Sequence, residues 1–328
     1  MKKMTIDLQP NYRYLCIITA AAAVLLAVLR VALTPIAFDQ PAPYAVALVA
    51  TLLMVAAVLG VCAVGKQPLS AKSGRVTRLL SAAAIIMGAT FVIFTFSAAF
   101  SWFAEGLMPF PQKPVIGKID VMLLYLFLIA GLLSGVFFSH LAIQWWHDNK
   151  TTRGLAPLLA LAPVLWSWVR VIRYITSYVS TTGLFRNLYD LAMIVFELLF
   201  FVQFARYITR IDEGGSRFFF GISLCTGLLC TVSGISQIVF FVLQDHAAFD
   251  TCVLVEAPDF AVALLAFATV FVQAFGKPCE EEPLEPESEE EEAATDEEDD
   301  PEDGVGAEFL LSDEWFIVTD DENEDEDD

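Results

Sequence analysis

Residues Val121–Ile143 read VMLLYLFLIAGLLSGVFFSHLAI, a run without one Asp, Glu, Lys or Arg. At about 1.5 Å of rise per residue, a helix of this length covers about 34 Å, enough to cross a hydrocarbon core ~30 Å thick. Backbone surrounded by lipid must satisfy its hydrogen bonds within the segment or in a closed barrel. The run is continuous and lacks the in–out alternation of a barrel strand, so it reads as a transmembrane helix. Seven further stretches have the same character: Tyr14–Leu33, Tyr44–Val64, Leu79–Phe100, Leu155–Tyr178, Leu188–Ile208, Phe218–Val242 and Ala257–Phe275. The expected fold class is all-α, a polytopic membrane helical bundle of about eight transmembrane helices.

Composition sharpens this expectation. The chain of 328 residues is 56% hydrophobic and 18% charged, yet carries a formal net charge of −21. Such a composition is rarely uniform. Residues 1–276 hold 18 Lys/Arg against 13 Asp/Glu, whereas residues 277–328 hold only Lys277 against 27 Asp/Glu. Three regions follow: a cytoplasmic N-terminus at 1–13, an eight-helix transmembrane domain at 14–276, and an acidic cytoplasmic tail at 277–328. A soluble globular protein, a disulfide-stapled secreted domain and a nucleic-acid binder are all excluded by this pattern. The bilayer is the first expected partner.

Orientation is read from Lys and Arg in the connections. Thirteen of them fall on the side of the N-terminus, the even-numbered loops and the tail, and six on the other. Both termini are therefore expected in the cytoplasm, in a plasma or cytoplasmic membrane. Lys2, Lys3 and Arg13 ahead of Tyr14–Leu29 resemble a signal-peptide layout, but no clear cleavage site follows in polar context. An uncleaved first helix is expected, with Arg30 snorkelling to the far headgroups.

No phosphate-binding loop, HExxH zinc motif or nucleophile elbow is present, so no catalytic residue, metal or cofactor is assigned. His140, His147 and Asp148, beside Trp145 and Trp146, read as an interfacial anchor rather than a metal set. Gly131 and Gly135 are spaced for close helix approach. The small and hydroxyl residues Ser223, Gly227, Thr231 and Gly234 read the same way.

Ionisable residues at membrane depth mark functional sites by default. The fifth segment carries Trp166, Arg170, Arg173, Ser177 and Ser180 at helical spacing, and the sixth carries Asp190 and Glu197 on one face. Matched for depth, Arg173 lies about 7 Å and Asp190 about 3 Å from the outer end, Arg170 about 12 Å and Glu197 about 14 Å. A two-rung ladder is expected, Arg173 with Asp190 and Arg170 with Glu197. The cluster either fixes helix register or lines an outward-opening polar site with an aromatic wall of Trp166, Trp168, Tyr174 and Tyr178. Pro157 and Pro163 should bend the inner half of the fifth helix.

The tail from Glu280 to Asp303 is dominated by acids and is expected to be disordered. An apolar island at 309–318 interrupts it, with Phe309, Leu310, Leu311, Trp315 and Phe316 as its large side chains. Such an island reads as a docking motif for a cytoplasmic protein partner. Function from sequence is thus a transporter or permease-like protein with a polar site between the fifth and sixth helices. The competing reading is a non-catalytic membrane sensor or scaffold.

Overall fold

The computed structural model describes residues 12–37, 42–64, 78–105, 118–146, 156–177, 184–209, 217–243 and 252–275. They form α1 (Tyr12–Ala37), α2 (Ala42–Val64), α3 (Arg78–Glu105), α4 (Lys118–Trp146), α5 (Ala156–Leu159), α6 (Leu161–Ser177), α7 (Leu184–Ile208), α8 (Arg217–Leu243) and α9 (Cys252–Phe275), with no strand among the described residues. The chain divides into two units, Met1–Glu280 and Glu281–Asp328, and every described residue lies in the first. The docking island and the acidic run lie outside the described residues.

Among the described residues, seven helices are long and apolar enough to cross a membrane: α1, α2, α3, α4, α7, α8 and α9. The eighth expected segment is divided. α5 ends at Leu159, Ala160 is a turn, and α6 begins at Leu161. Pro163 accounts for the break, because it has no N–H to donate to the Leu159 carbonyl four residues back. Pro157 sits in the first turn of α5, where a missing N–H is tolerated.

Side-chain contacts define the two ends of the bundle. Arg13 Nε donates to the Ala274 carbonyl at 3.1 Å, which places the start of α1 beside the end of α9. At this same end the Tyr12 and Phe220 rings meet edge-on at 5.2 Å, and Ser81 Oγ donates to the Ala142 carbonyl. At the opposite end Arg30 of α1 meets Tyr189 and Asp190 of α7, and Arg173 of α6 meets Asp120 of α4. With α5 and α6 taken as one crossing, successive helices alternate in direction.

α8 is the most enclosed span, 83% buried against 28% for α1. Its small residues explain how it fits. A Cβ on Gly227 would stand 3.0 Å from the Phe267 ring of α9, and one on Gly234 would stand 3.3 Å from Phe260. Thr226 Oγ1 donates to the Phe196 carbonyl of α7. Helix neighbours close a circuit α3–α4–α6–α7–α8–α9 and back to α3. Rings fill its interior, with Phe91, Phe138 and Phe201 within 6.4 Å of one another and Phe200, Phe204 and Phe219 beyond them. Large aliphatic side chains such as Leu25, Leu53, Ile93 and Ile129 point away from the bundle and are exposed, as a lipid-facing surface requires.

Candidate functional site

Arg170 of α6 reaches two other helices. Arg170 Nη1 donates to Glu197 Oε2 of α7 at 2.6 Å and to Asp259 Oδ1 of α9 at 2.7 Å. Arg170 is 6% exposed, and Glu197 and Asp259 are 0%. α6 packs on α4, α5 and α7, whereas α9 packs on α8, α3 and α1. The guanidinium thus reaches across the interior and joins the two sides of the helix circuit. Charge-assisted hydrogen bonds in a water-poor interior are the strong kind.

The guanidinium also rests on Trp166, with Cζ 4.7 Å from the ring centroid. That distance is within cation–π range. One turn separates the two residues on α6, so helical spacing alone brings them together. Phe91 and Phe94 of α3 and Phe127 of α4 hold the indole at centroid distances of 4.8, 6.3 and 5.5 Å. Gly131 makes room for it: a Cβ there would lie 2.5 Å from Thr95 Oγ1 and 3.4 Å from Trp166 Cδ1. The cluster is therefore floored by aromatic rings toward the Arg13 end.

The second rung is not the pair expected from sequence. Arg173 Nη1 lies 3.3 Å from Asp120 Oδ1 and 3.1 Å from the Asp120 carbonyl, both on α4. Asp190 instead meets Arg30 of α1 at 3.8 Å. Helical geometry gives the reason. Arg173 is three residues beyond Arg170, about 4.5 Å along the axis and turned about 60° around it, while Asp190 and Glu197 are seven apart, about 10.5 Å and nearly in line. Two rungs of unequal spacing do not close together, so Arg173 turns to α4. Arg30 does not snorkel to the headgroups either. α1 continues to Ala37, and its guanidinium lies 4.2 Å over the Tyr189 ring.

Trp168 is 50% exposed on the outside of the bundle, so it forms no wall with Trp166. Two residues along a helix turn the side chain by about 200°, which accounts for the separation. Tyr174 is partly buried, while Tyr178 and Ser180 lie outside the described residues. His140 is exposed, with Nε2 3.5 Å from Gln144 Nε2; His147 and Asp148 lie outside the described residues. No group of three metal-ligating side chains occurs among the described residues.

Sequence reasoning missed Asp259, Asp120 and Arg30 as partners. Asp259 stood in plain view as the one acid between Pro258 and Gly276 in an apolar segment. Its distance of 89 residues from Arg170 hides the pairing, which no short connection announces.

No protein family, no curated protein sequence and no solved structure matches the chain. Its character rests on its own helices: seven apolar spans enclosing buried charge. The chain is a multi-pass integral membrane protein. What can this site do chemically? Two carboxylates and one guanidinium give a formal charge of −1 in a place without solvent access. Glu197 Oε1 and Asp259 Oδ2 are buried and have no hydrogen-bond partner among the described residues. The arrangement therefore has acceptor capacity left for a small cationic or hydrogen-bond-donating species.

Proposed function

We propose that this protein is a transporter of the permease kind, with Arg170, Glu197 and Asp259 as its polar site and Trp166 as the floor of that site. Arg173 and Asp190 belong to the supporting pairs on either flank. Both termini lie in the cytoplasm of a plasma or cytoplasmic membrane, in keeping with the Lys/Arg distribution. The observation that carries the reading is the sharing of one guanidinium by two fully buried carboxylates from two other helices. Fixing helix register needs one charge pair, and desolvating a third charge is costly unless it is used. The site is closed to solvent here, which corresponds to an occluded state in a transport cycle.

Native Cys230 of α8 is buried within electrostatic range of this cluster and offers a test. The other five cysteines are replaced by alanine, and intact vesicles are treated with a membrane-impermeant methanethiosulfonate. A transporter that opens exposes Cys230 to the reagent from one side of the membrane. Absence of labelling in the folded protein, with full labelling after denaturation, removes the transporter reading.

That outcome would leave the second reading, a membrane sensor or scaffold. Complete enclosure of Glu197 and Asp259 is the observation that favours it. In that reading the island with Phe309, Leu310, Leu311, Trp315 and Phe316 recruits a cytoplasmic protein.

A further inference from the structure

We infer that Glu197 and Asp259 together bind one proton, exchanged each time the bundle opens; the inference rests on the transporter reading and names its coupling ion. The stoichiometry of charge is the first ground. Arg170 meets both carboxylates through the same nitrogen, Nη1, so a single positive charge faces two negative ones. One added proton brings the cluster to neutrality, the state an enclosed low-dielectric site favours.

The second ground is the pair of oxygens that Arg170 does not reach. Glu197 Oε1 and Asp259 Oδ2 are buried acceptors without a donor among the described residues. A carboxylate oxygen in that position lacks compensation for its lost water. Protonation forms one O–H bond on a carboxyl oxygen and turns an uncompensated acceptor into a donor. Release breaks that O–H bond and passes the proton to water admitted when the bundle opens. No electron moves.

The surroundings select a proton over a metal cation. Hard divalent cations such as Ca²⁺ gather about 6–8 oxygen ligands, and even the smaller ones need a full octahedral shell. Here two carboxyl groups meet at one guanidinium nitrogen, the flank toward the Arg13 end is an indole ring, and no group of three metal-ligating side chains forms among the described residues. Apart from Cys230, the titratable groups of the neighbouring helices are engaged elsewhere. Cys230 of α8 lies within electrostatic range of the pair, Asp120 of α4 is engaged by Arg173, and Arg30 of α1 is engaged by Asp190 and Tyr189 near the helix ends. The described side chains of α2 and the middle of α3 contribute no charged group at this level.

Infrared difference spectra of the full-length protein in lipid, recorded between high and low pH, test this. The wild type should gain a protonated-carboxyl C=O band equivalent to one proton per chain, and that band should be missing from Glu197→Gln or from Asp259→Asn. The acidic tail is common to all three proteins and cancels in the comparison. Should a variant fail to fold, the slow hydrogen–deuterium exchange of a fully buried carboxyl separates its band in the wild type from those of solvent-accessible carboxyls. Sodium chloride in place of choline chloride should leave the band unchanged. No excess of the band in wild type over both variants, or an excess suppressed by sodium, overturns the inference. Labelling of Cys230 without the band overturns the proton and leaves the transporter; the band without labelling overturns the transporter.

Discussion

Arg170 Nη1 lies 2.7 Å from Asp259 Oδ1 and holds that contact while donating to Glu197 as well. The two acids are thus mutually repulsive except through the arginine. Arg170→Gln leaves two buried carboxylates uncompensated and should cost about 3–5 kcal/mol. Asp259→Asn and Glu197→Gln each leave a neutral one-to-one pair and should cost about 1–2 kcal/mol. Unfolding in mixed detergent ranks the three. Equal losses for all of them would show that the carboxylates do not depend on Arg170.

Pairing at the Arg30 end is open to double-mutant cycles. Arg173 and Asp120 should couple by at least about 0.5 kcal/mol, and Arg30 and Asp190 likewise, because each pair is in contact. Arg173 and Asp190 should couple by less than about 0.5 kcal/mol. A larger value for that last pair would restore the ladder expected from the hairpin alone.

Close approach of α3 and α4 depends on Gly88 and Gly135. A Cβ at Gly88 would lie 2.8 Å from Ser139 Oγ and, more seriously, 3.1 and 3.2 Å from backbone atoms of Ser139 and Gly135. Backbone does not rotate aside, so Gly88→Ala should destabilise by about 1–3 kcal/mol. Gly60→Ala meets nothing within 4 Å and should be neutral or stabilising by up to about 1 kcal/mol. Thermal unfolding of the two variants side by side decides the matter.

Trp166 combines a large buried ring with an indole N–H that has no partner among the described residues. Trp166→Phe keeps most of the ring contacts and should lose about 1 kcal/mol through the weaker cation–π contact. Trp166→Ala opens a cavity among Phe91, Phe94 and Phe127 and should lose about 3–5 kcal/mol. Similar losses for both would mean that the N–H, not the ring, is what matters.

Helix number and the alternation of their direction were legible because apolar length is a local property. Arg170 with Glu197 was legible too, since a short connection makes α6 and α7 neighbours. Asp259 was not, because nothing local places α9 opposite α6. Its position depends on how α3, α8 and α9 pack, through glycines and rings whose partners are distant in sequence. The Arg173–Asp190 rung does not form for a smaller reason: the two residues agree in depth but not in rotation around their helix axes. The division at Ala160 could have been read from Pro163 as a break rather than a bend.

The 89-residue separation between Arg170 and Asp259 sets an order for biogenesis. α6 leaves the ribosome with two arginines in 17 residues, each unfavourable by about 2.5–3.5 kcal/mol at the centre of an inserting helix. It is the poorest inserter of the bundle when synthesised. Glu197 arrives within the next helix, but Asp259 and the enclosing α8 and α9 come last. Integration of α6 is therefore provisional until the final hairpin docks. A chain truncated before α8 should leave α6 only partly integrated, held by Glu197 and Asp120 without Asp259, and exposed to quality control.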